Sequence, residues 1–547
     1  MSPTLSARLA EVLARFDVDL MFGLPGGGQN LDLIGAAERH GIRFVLAHGE
    51  TEAAIMASTH GLLTGRPTPV IVTRGPGVAS LANGLAQATL DRYPLVAVAD
   101  TVPQASAHRV AHQRLDQTGL LGPAAKMSTT ISDRTSDADL AELVATACRW
   151  PYGGVHLDFD PTAEPAAPVG DGAERSGSAP AERLTAAGHR LASANRPVVI
   201  VGMEAAAWAA RRSAGPERTD VGAKLASLGC PVLTTYQAIG TVPTEGPVNA
   251  GLFTNGSLER PVLEAADLVV TIGLDLVEPI PAPWRSEADV IRLSETRQLD
   301  DYLPTAIDLV GDLDTSVAAL ADAVAERSAA WGWEPEAGPA FVAEARARLR
   351  TESGHRPGRS FGPIELVDGL IGLLPGTATV TVDAGAHFLA VMPNWPVARP
   401  FELLISNGLA TMGFAVPAAI GAALARPDEA VIALTGDGGL SMVLAELETI
   451  ARLQLPITVV VFNDAALSLI EIKQGEGHGG DDAVRYRGVD YAAVAEASGV
   501  AGCVVTSSEE LAAAIGPSGL DAAVGPRLVD ARIDPAAYRH LIEMTRG

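Results

Sequence analysis

The chain has 547 residues, 47% of them hydrophobic and 19% charged, with a formal net charge of −25. At roughly 100–200 residues per domain this length predicts about three domains, each able to bury a core, and the composition excludes wholesale disorder. The acidic surplus disfavours nucleic acid and anionic membrane surfaces as partners, and no apolar run reaches the roughly 18–20 residues of a membrane span.

In chain order, residues 18–22 read as a short strand that ends in a turn at Gly23. A strand at 44–47 follows, then a helix over about 51–64 and strands at 69–73 and 95–99. Residues 163–181 are rich in Pro, Gly, Ala and Ser without periodicity and read as a linker. A second block has strands at 197–202, 231–235 and 266–273; residues 330–363 read as helix and then loop. A third block has strands at 378–383, 430–435 and 457–462. Strands alternating with helices predict parallel sheets covered on both faces, hence three consecutive α/β domains. Cys148, Cys230 and Cys503 lie far apart without CxxC spacing, which fits a reducing cytoplasm. Residues 1–8 lack the charged and apolar regions of a secretory signal, so the expected location is cytoplasmic.

The most informative segment is Thr435-Gly436-Asp437-Gly438-Gly439, followed after a helix and a strand by Phe462-Asn463-Asp464. Glycines let backbone approach a ligand closely. The helix beginning near Ser441 aims its first amides at the loop, a seat for phosphate. Asp437 and Asp464 end two strands, and a parallel sheet puts both ends on one edge, where ligands bind. Two carboxylates beside a phosphate seat suit Mg²⁺. Taken alone, the motif also reads as two turns with N-capping aspartates.

With this segment, Ser406 to Gly421 (SNGLATMGFAVPAAIG), Phe22 to Gly27 (FGLPGG) and Thr73 to Gly77 (TRGPG) resemble acetolactate synthases, members of the thiamine diphosphate (ThDP) enzymes. The resemblance runs in order over nearly the whole chain and is weakest in the middle. It implies three doubly wound parallel-sheet domains: pyrimidine-binding over 1–165, central over 183–345, and diphosphate- and metal-binding over 355–540.

Carried over residue by residue, the resemblance implies that Glu50 is the activating glutamate, with Glu52 as a nearby competitor. A carboxyl bonded to the aminopyrimidine favours its imino tautomer, while the cofactor carries the hard chemistry. Pro25, Gly26, Gly75, Gly436, Gly438, Gly439, Leu467, Leu469 and Ile470 are implied cofactor contacts. Ala410 contacts the pyrimidine, and Met412 wedges between the cofactor rings. Asp437, Asp464 and the Ala466 carbonyl are the implied metal ligands. Gln113 aligns with an active-site glutamine, and His112 resembles a proton-relay histidine of 2-oxo acid decarboxylases. Lys126 matches a lysine position suited to a substrate carboxylate; a solvated surface lysine is the competing reading.

Some positions depart from the family pattern. Asp464 stands where many relatives have Asn, Lys473 where biosynthetic synthases often have Trp, and Arg74 where a small residue is usual. Ile272 to Glu278 (IGLDLVE) lacks the arginine-bearing motif of FAD-containing synthases, so FAD is not expected. The implied activity is ThDP- and Mg²⁺-dependent decarboxylation of a 2-oxo acid, with carboligation of the resulting carbanion to a second carbonyl. The alternatives are a simple decarboxylase releasing an aldehyde, a 2-hydroxyacyl-CoA lyase-type enzyme and a non-catalytic homologue. The expected assembly is a homodimer or homotetramer with active sites between chains.

Overall fold

The computed structural model describes all residues except 1–2, 165–167, 171–176, 215–218, 299–301, 353–360, 375, 475–479, 517–518, 521–524 and 547. Apolar runs rich in Val, Ile and Leu form three sheets in turn. The first holds β1 (Leu20–Leu24), β2 (Arg43–Leu46), β3 (Pro69–Val72), β4 (Leu95–Asp100), β5 (Met127–Ile131), β6 (Gly154–Phe159) and β7 (Val169–Gly170), in the order β2-β1-β3-β4-β6-β5-β7. The second holds β8 (Pro197–Val201), β9 (Val232–Thr234), β10 (Asn249–Leu252), β11 (Leu268–Ile272), β12 (Asp289–Ser294) and β13 (Thr305–Val310), ordered β10-β9-β8-β11-β12-β13. The third holds β14 (Ala378–Val382), β15 (Leu403–Ile405), β16 (Ala430–Gly436), β17 (Ile457–Asn463), β18 (Ala501–Val505) and β19 (Arg527–Arg532), ordered β15-β14-β16-β17-β19-β18. Among these strands only the β5–β7 pair is antiparallel.

Strands β3, β4, β8 and β14 are buried at every position. That is the signature of parallel strands covered by helices on both faces. In each sheet the strand order switches direction from the sheet's first strand outward, at β1/β3, β8/β11 and β14/β16. Loops leaving the C-terminal ends of such strands open a crevice, and ligands bind there.

Two regions differ from the sequence reading or escape it. The stretch expected to be a linker contains β7, a two-residue edge strand too short to leave a periodic pattern. Residues 165–167 and 171–176 of that stretch, and the loop expected around Gly354, Pro357 and Gly358, lie outside the described residues. Among the described residues no helix is long and apolar enough to cross a membrane.

The first and third domains of the chain are locked together by two helices, Glu50–Thr64 and Ala415–Ala425, each buried along most of its length. Small side chains let the two backbones meet. A Cβ added at Gly421 would overlap the carbonyl oxygen of Met56. We therefore expect Gly421→Ala to destabilise the protein by about 1–3 kcal/mol, the usual cost of overpacking a filled contact. A lowered urea midpoint checks it; an unchanged midpoint would show that the helices separate freely.

Candidate functional site

The third sheet builds a cleft of about 220 Å³ at its switch point. Strand β16 delivers Gly436 to the helix Asp437–Met442, and β17 delivers Asp464 beside it. Gly436, Asp437, Gly438, Gly439, Asp464, Ala466, Leu467, Leu469, Ile470, Ala410 and Met412, eleven residues singled out in the sequence, all line this one cleft.

Asp437 is held rigidly. Its Oδ1 accepts hydrogen bonds from the Gly438 N–H at 2.7 Å and the Tyr486 hydroxyl at 2.6 Å, and its Oδ2 accepts one from the Ala465 N–H at 2.6 Å. Burial raises its pKa, and these donors oppose the rise. The Ser468 hydroxyl donates to Asp464. Burial, helped by the charge of Asp437, pushes Asp464 up to about 6. Two carboxylates placed so that the charge of one raises the proton affinity of the other form a natural seat for a cation. Among the described residues no group of three or more His, Cys, Asp and Glu side chains is arranged for a metal. Asp437, Asp464 and the Ala466 carbonyl could offer an all-oxygen donor set, the kind that Mg²⁺ prefers.

The opposite wall is the loop bearing Ala410 and Met412. Ala410 adopts φ 55°, and Met412 is 37% exposed, unusual for a large apolar side chain. Buried Asp383 anchors the end of this loop, accepting from the N–H groups of Gly413 at 3.0 Å and Phe414 at 3.2 Å. A Cβ on Gly439 would overlap the Asp383 carboxylate, so the Gly-Asp-Gly turn and this anchor fit only because position 439 lacks a side chain.

Sequence reasoning missed His387, which also lines the cleft. The ring stacks on Phe462 with centroids 5.2 Å apart, and its buried Nε2 has no hydrogen-bond partner. Burial lowers its pKa to about 4, so it is neutral near pH 7. The available signal was positional: residues 383–387 leave β14, one of the two switch-point strands. Tyr486, whose hydroxyl orients Asp437, was missed too; it had no local pattern to betray it.

A second group forms at the C-terminal edge of the first sheet. Pro25 and Gly26 follow β1, and the Gly26 N–H donates to Asn30 Oδ1 at 2.8 Å. Gly75, at φ 70°, turns β3 into the helix Pro76–Leu90, and its N–H donates to Gln117 Oε1 at 3.1 Å. Gln113 packs on this turn, so close that a Cβ on Gly75 would lie 2.8 Å from its carbonyl oxygen. His112 beside it is exposed. Half-buried Glu50 starts its helix against the same turn, where a Cβ on Gly77 would lie 3.2 Å from its Oε1. Burial raises the Glu50 pKa. Glu52, the competing carboxylate, instead folds back over Gly49 and feels the charge of Glu446. Glu50 thus joins the Gly75 group, and Glu52 does not.

Lys126 is not brought to either group, which corrects the expectation that it meets a substrate carboxylate. It precedes β5, and so lies at the N-terminal edge of the sheet, opposite the crevice. Its Nζ donates to the carbonyls of Thr146 and Arg149, each at 2.7 Å, where the helix Asp137–Ala147 ends. A cation is favoured there by the helix dipole.

Comparison with known proteins agrees with the three-sheet architecture. Residues 3–120, 184–320 and 383–531 match the N-terminal TPP binding, central and C-terminal TPP binding domains of thiamine pyrophosphate enzymes. The chain belongs to this thiamine pyrophosphate (thiamine diphosphate) enzyme family. Within the family it resembles acetolactate synthases. It is 32% identical to the acetolactate synthase of Bacillus subtilis (strain 168), over 92% of this chain and 89% of that protein. It is 29% identical to the catabolic acetolactate synthase of Raoultella terrigena, over 90% and 88% of the two chains. It is also 30% identical to a probable 2-ketoarginine decarboxylase of Pseudomonas aeruginosa, over 85% and 83%.

The placement of Lys126 has a measurable consequence. Lys126→Met should leave the KM for a 2-oxo acid within about twofold while lowering stability by about 1 kcal/mol, since two carbonyls lose a charged donor. Steady-state kinetics and a thermal melt check both halves.

Proposed function

We propose that the protein decarboxylates a 2-oxo acid with the help of ThDP and Mg²⁺ and joins the resulting acyl fragment to a second carbonyl. The observation that carries this reading is the single cleft that gathers Asp437, Asp464, Ala466 and Met412 at one sheet edge. The residues fit the cofactor: oxygen-bearing Asp437 and Asp464 share one cleft with the Gly436–Gly439 turn at a helix start, and His387, whose Nε2 has no hydrogen-bond partner, lines the same cleft. Asp437, Asp464 and the Ala466 carbonyl would hold Mg²⁺. Ala410 and Met412 would hold the pyrimidine and the bend between the rings.

Bound ThDP would supply a nucleophilic carbon and an electron sink for the decarboxylation. Glu50 has the raised proton affinity of a half-buried carboxyl, suited to exchanging a proton with the aminopyrimidine. Gln113, packed on the Gly75 turn, would orient the substrate. Met412, Leu469 and Ile470 would keep water from the reacting carbon. A simple decarboxylase is the second reading, favoured by exposed His112 beside Gln113 and by the ketoarginine decarboxylase relative.

The Glu50 group and the Asp437 cleft lie on different sheets, and no residue of the former lines the cleft. Leu31, Leu46, Leu115 and Leu120 around the first group, and Met412, Met442 and Ile470 around the second, are all exposed large apolar side chains. This supports a homodimer, or a tetramer of such pairs, in which each copy completes the other's site. FAD is not expected. At the switch point of the second sheet the Glu278 carboxylate accepts from the N–H groups of Met203 and Asp275, each at 3.0 Å. A dinucleotide phosphate would otherwise meet these donors.

Incubation with ThDP, Mg²⁺ and labelled pyruvate, followed by NMR, tests the reading. Acetolactate or acetoin is the expected product; acetaldehyde alone would establish the decarboxylase instead. Glu50→Gln should lower turnover at least about 100-fold, the scale of lost acid–base catalysis, with ThDP still bound. Asp437→Ala should release ThDP on desalting even with Mg²⁺ present; normal retention would sink the metal assignment.

A further inference from the structure

We propose that Asp91, a residue of the first domain, is a positioning residue for the loop of the third domain that carries Ala410 and Met412. The inference rests on the ThDP reading of the site. Asp91 lies outside the cleft and touches none of its lining chemistry. It caps the C-terminus of the helix Pro76–Leu90, and its side chain is fully buried.

The carboxylate reaches across the domain boundary. Its Oδ1 accepts the Gly408 N–H at 2.6 Å, and its Oδ2 accepts Gln87 Nε2 at 3.0 Å from within the helix. The loop is fastened a second time to the same helix, where the Thr411 hydroxyl donates to Asn83 Oδ1 at 3.4 Å. Position 408 tolerates no side chain there. An added Cβ would lie 2.5 Å from the Leu90 carbonyl oxygen and 3.0 Å from Asp91 Oδ1. Asp383 holds the far end of the loop at Gly413 and Phe414. Ala410 and Met412 are therefore suspended between two buried carboxylates, one of them in a different domain.

The central domain closes the joint. Gln237 Nε2 donates to the Asp91 carbonyl at 3.3 Å, and Arg92 grips the Asp275 carboxylate through two hydrogen bonds, at 2.8 and 3.3 Å. Asn407 in turn donates to the Glu278 carbonyl at 3.0 Å. All three domains meet at the root of this loop. A loop in the left-handed conformation at Ala410 needs such outside support, and a displacement of about 1 Å in a positioning element can cost two orders of magnitude in rate.

The test uses the full-length protein with ThDP and Mg²⁺. It measures ThDP affinity by calorimetry, hydrogen–deuterium exchange at C2 of the bound cofactor by quenched NMR, kcat, and melting temperature. Asp91→Ala should slow C2 exchange and kcat about 30-fold or more, while the ThDP Kd changes less than threefold. Asp91→Asn keeps an acceptor for the Gly408 N–H and should recover to within about fivefold of wild type. Gly408→Ala should reproduce the Asp91→Ala effect, and the double variant should be no worse than either single one. Wild-type exchange in Asp91→Ala would overturn the proposal. So would a slowed exchange matched by equal losses of ThDP affinity and melting temperature, or an Asn variant as impaired as Ala. Failure of the wild type itself to bind ThDP would overturn the cofactor reading and this inference together.

Discussion

Buried carboxylates that accept backbone N–H groups hold this protein's functional loops in place. Asp383 takes the amides of Gly413 and Phe414, Asp91 that of Gly408, Asp437 those of Gly438 and Ala465, and Glu278 those of Met203 and Asp275. A loop at a strand end has amides that no sheet partner or helix can satisfy, and an unsatisfied buried amide costs about 1–3 kcal/mol. A carboxylate satisfies two or three at once and fixes their directions. The cost appears in the acids themselves. Burial raises Asp91 and Asp383 to about 6 and Glu278 to about 8, even though every donor works in the opposite direction. Desolvation outweighs the hydrogen bonds at each of these three sites, so the acids hold their loops with a raised proton affinity.

The distribution of such anchors explains what could be read from the sequence. In a parallel α/β sheet the residues that follow a strand are committed to one edge by topology alone. Asp437 and Asp464 could therefore be grouped from strand patterns before any tertiary contact was known, whereas Pro25 and Gly75 were reached through the family resemblance. The same rule, applied to Lys126, places it at the wrong edge, because it precedes its strand rather than following it. The resemblance carried a lysine position but not the carbonyls of Thr146 and Arg149 that hold the ammonium. Residues such as Asp91, Tyr486 and His387 act through partners distant in sequence; Asp91 and Gly408 are 317 positions apart. No local period, cap or turn signal encodes such a pairing. The two-residue strand β7 escaped for a different reason, since an alternating pattern needs more than two residues to exist.

Close packing between domains has a further consequence for where chemistry can occur. The helices Glu50–Thr64 and Ala415–Ala425 touch backbone to backbone at Gly421, so the first and third domains of one chain cannot slide past one another without opening that contact. Their relative placement leaves the Glu50 group outside the Asp437 cleft. Each group instead keeps large apolar side chains exposed, Leu46 and Leu115 beside one and Met412 and Ile470 beside the other. On the proposed reading, a carboxyl that meets the pyrimidine and a metal seat that holds the diphosphate cannot serve one cofactor from separated positions in a rigid chain. The packing that makes each chain rigid is thus also the physical argument for the proposed assembly, in which a second copy would bring its own Glu50 to the exposed rim of the cleft.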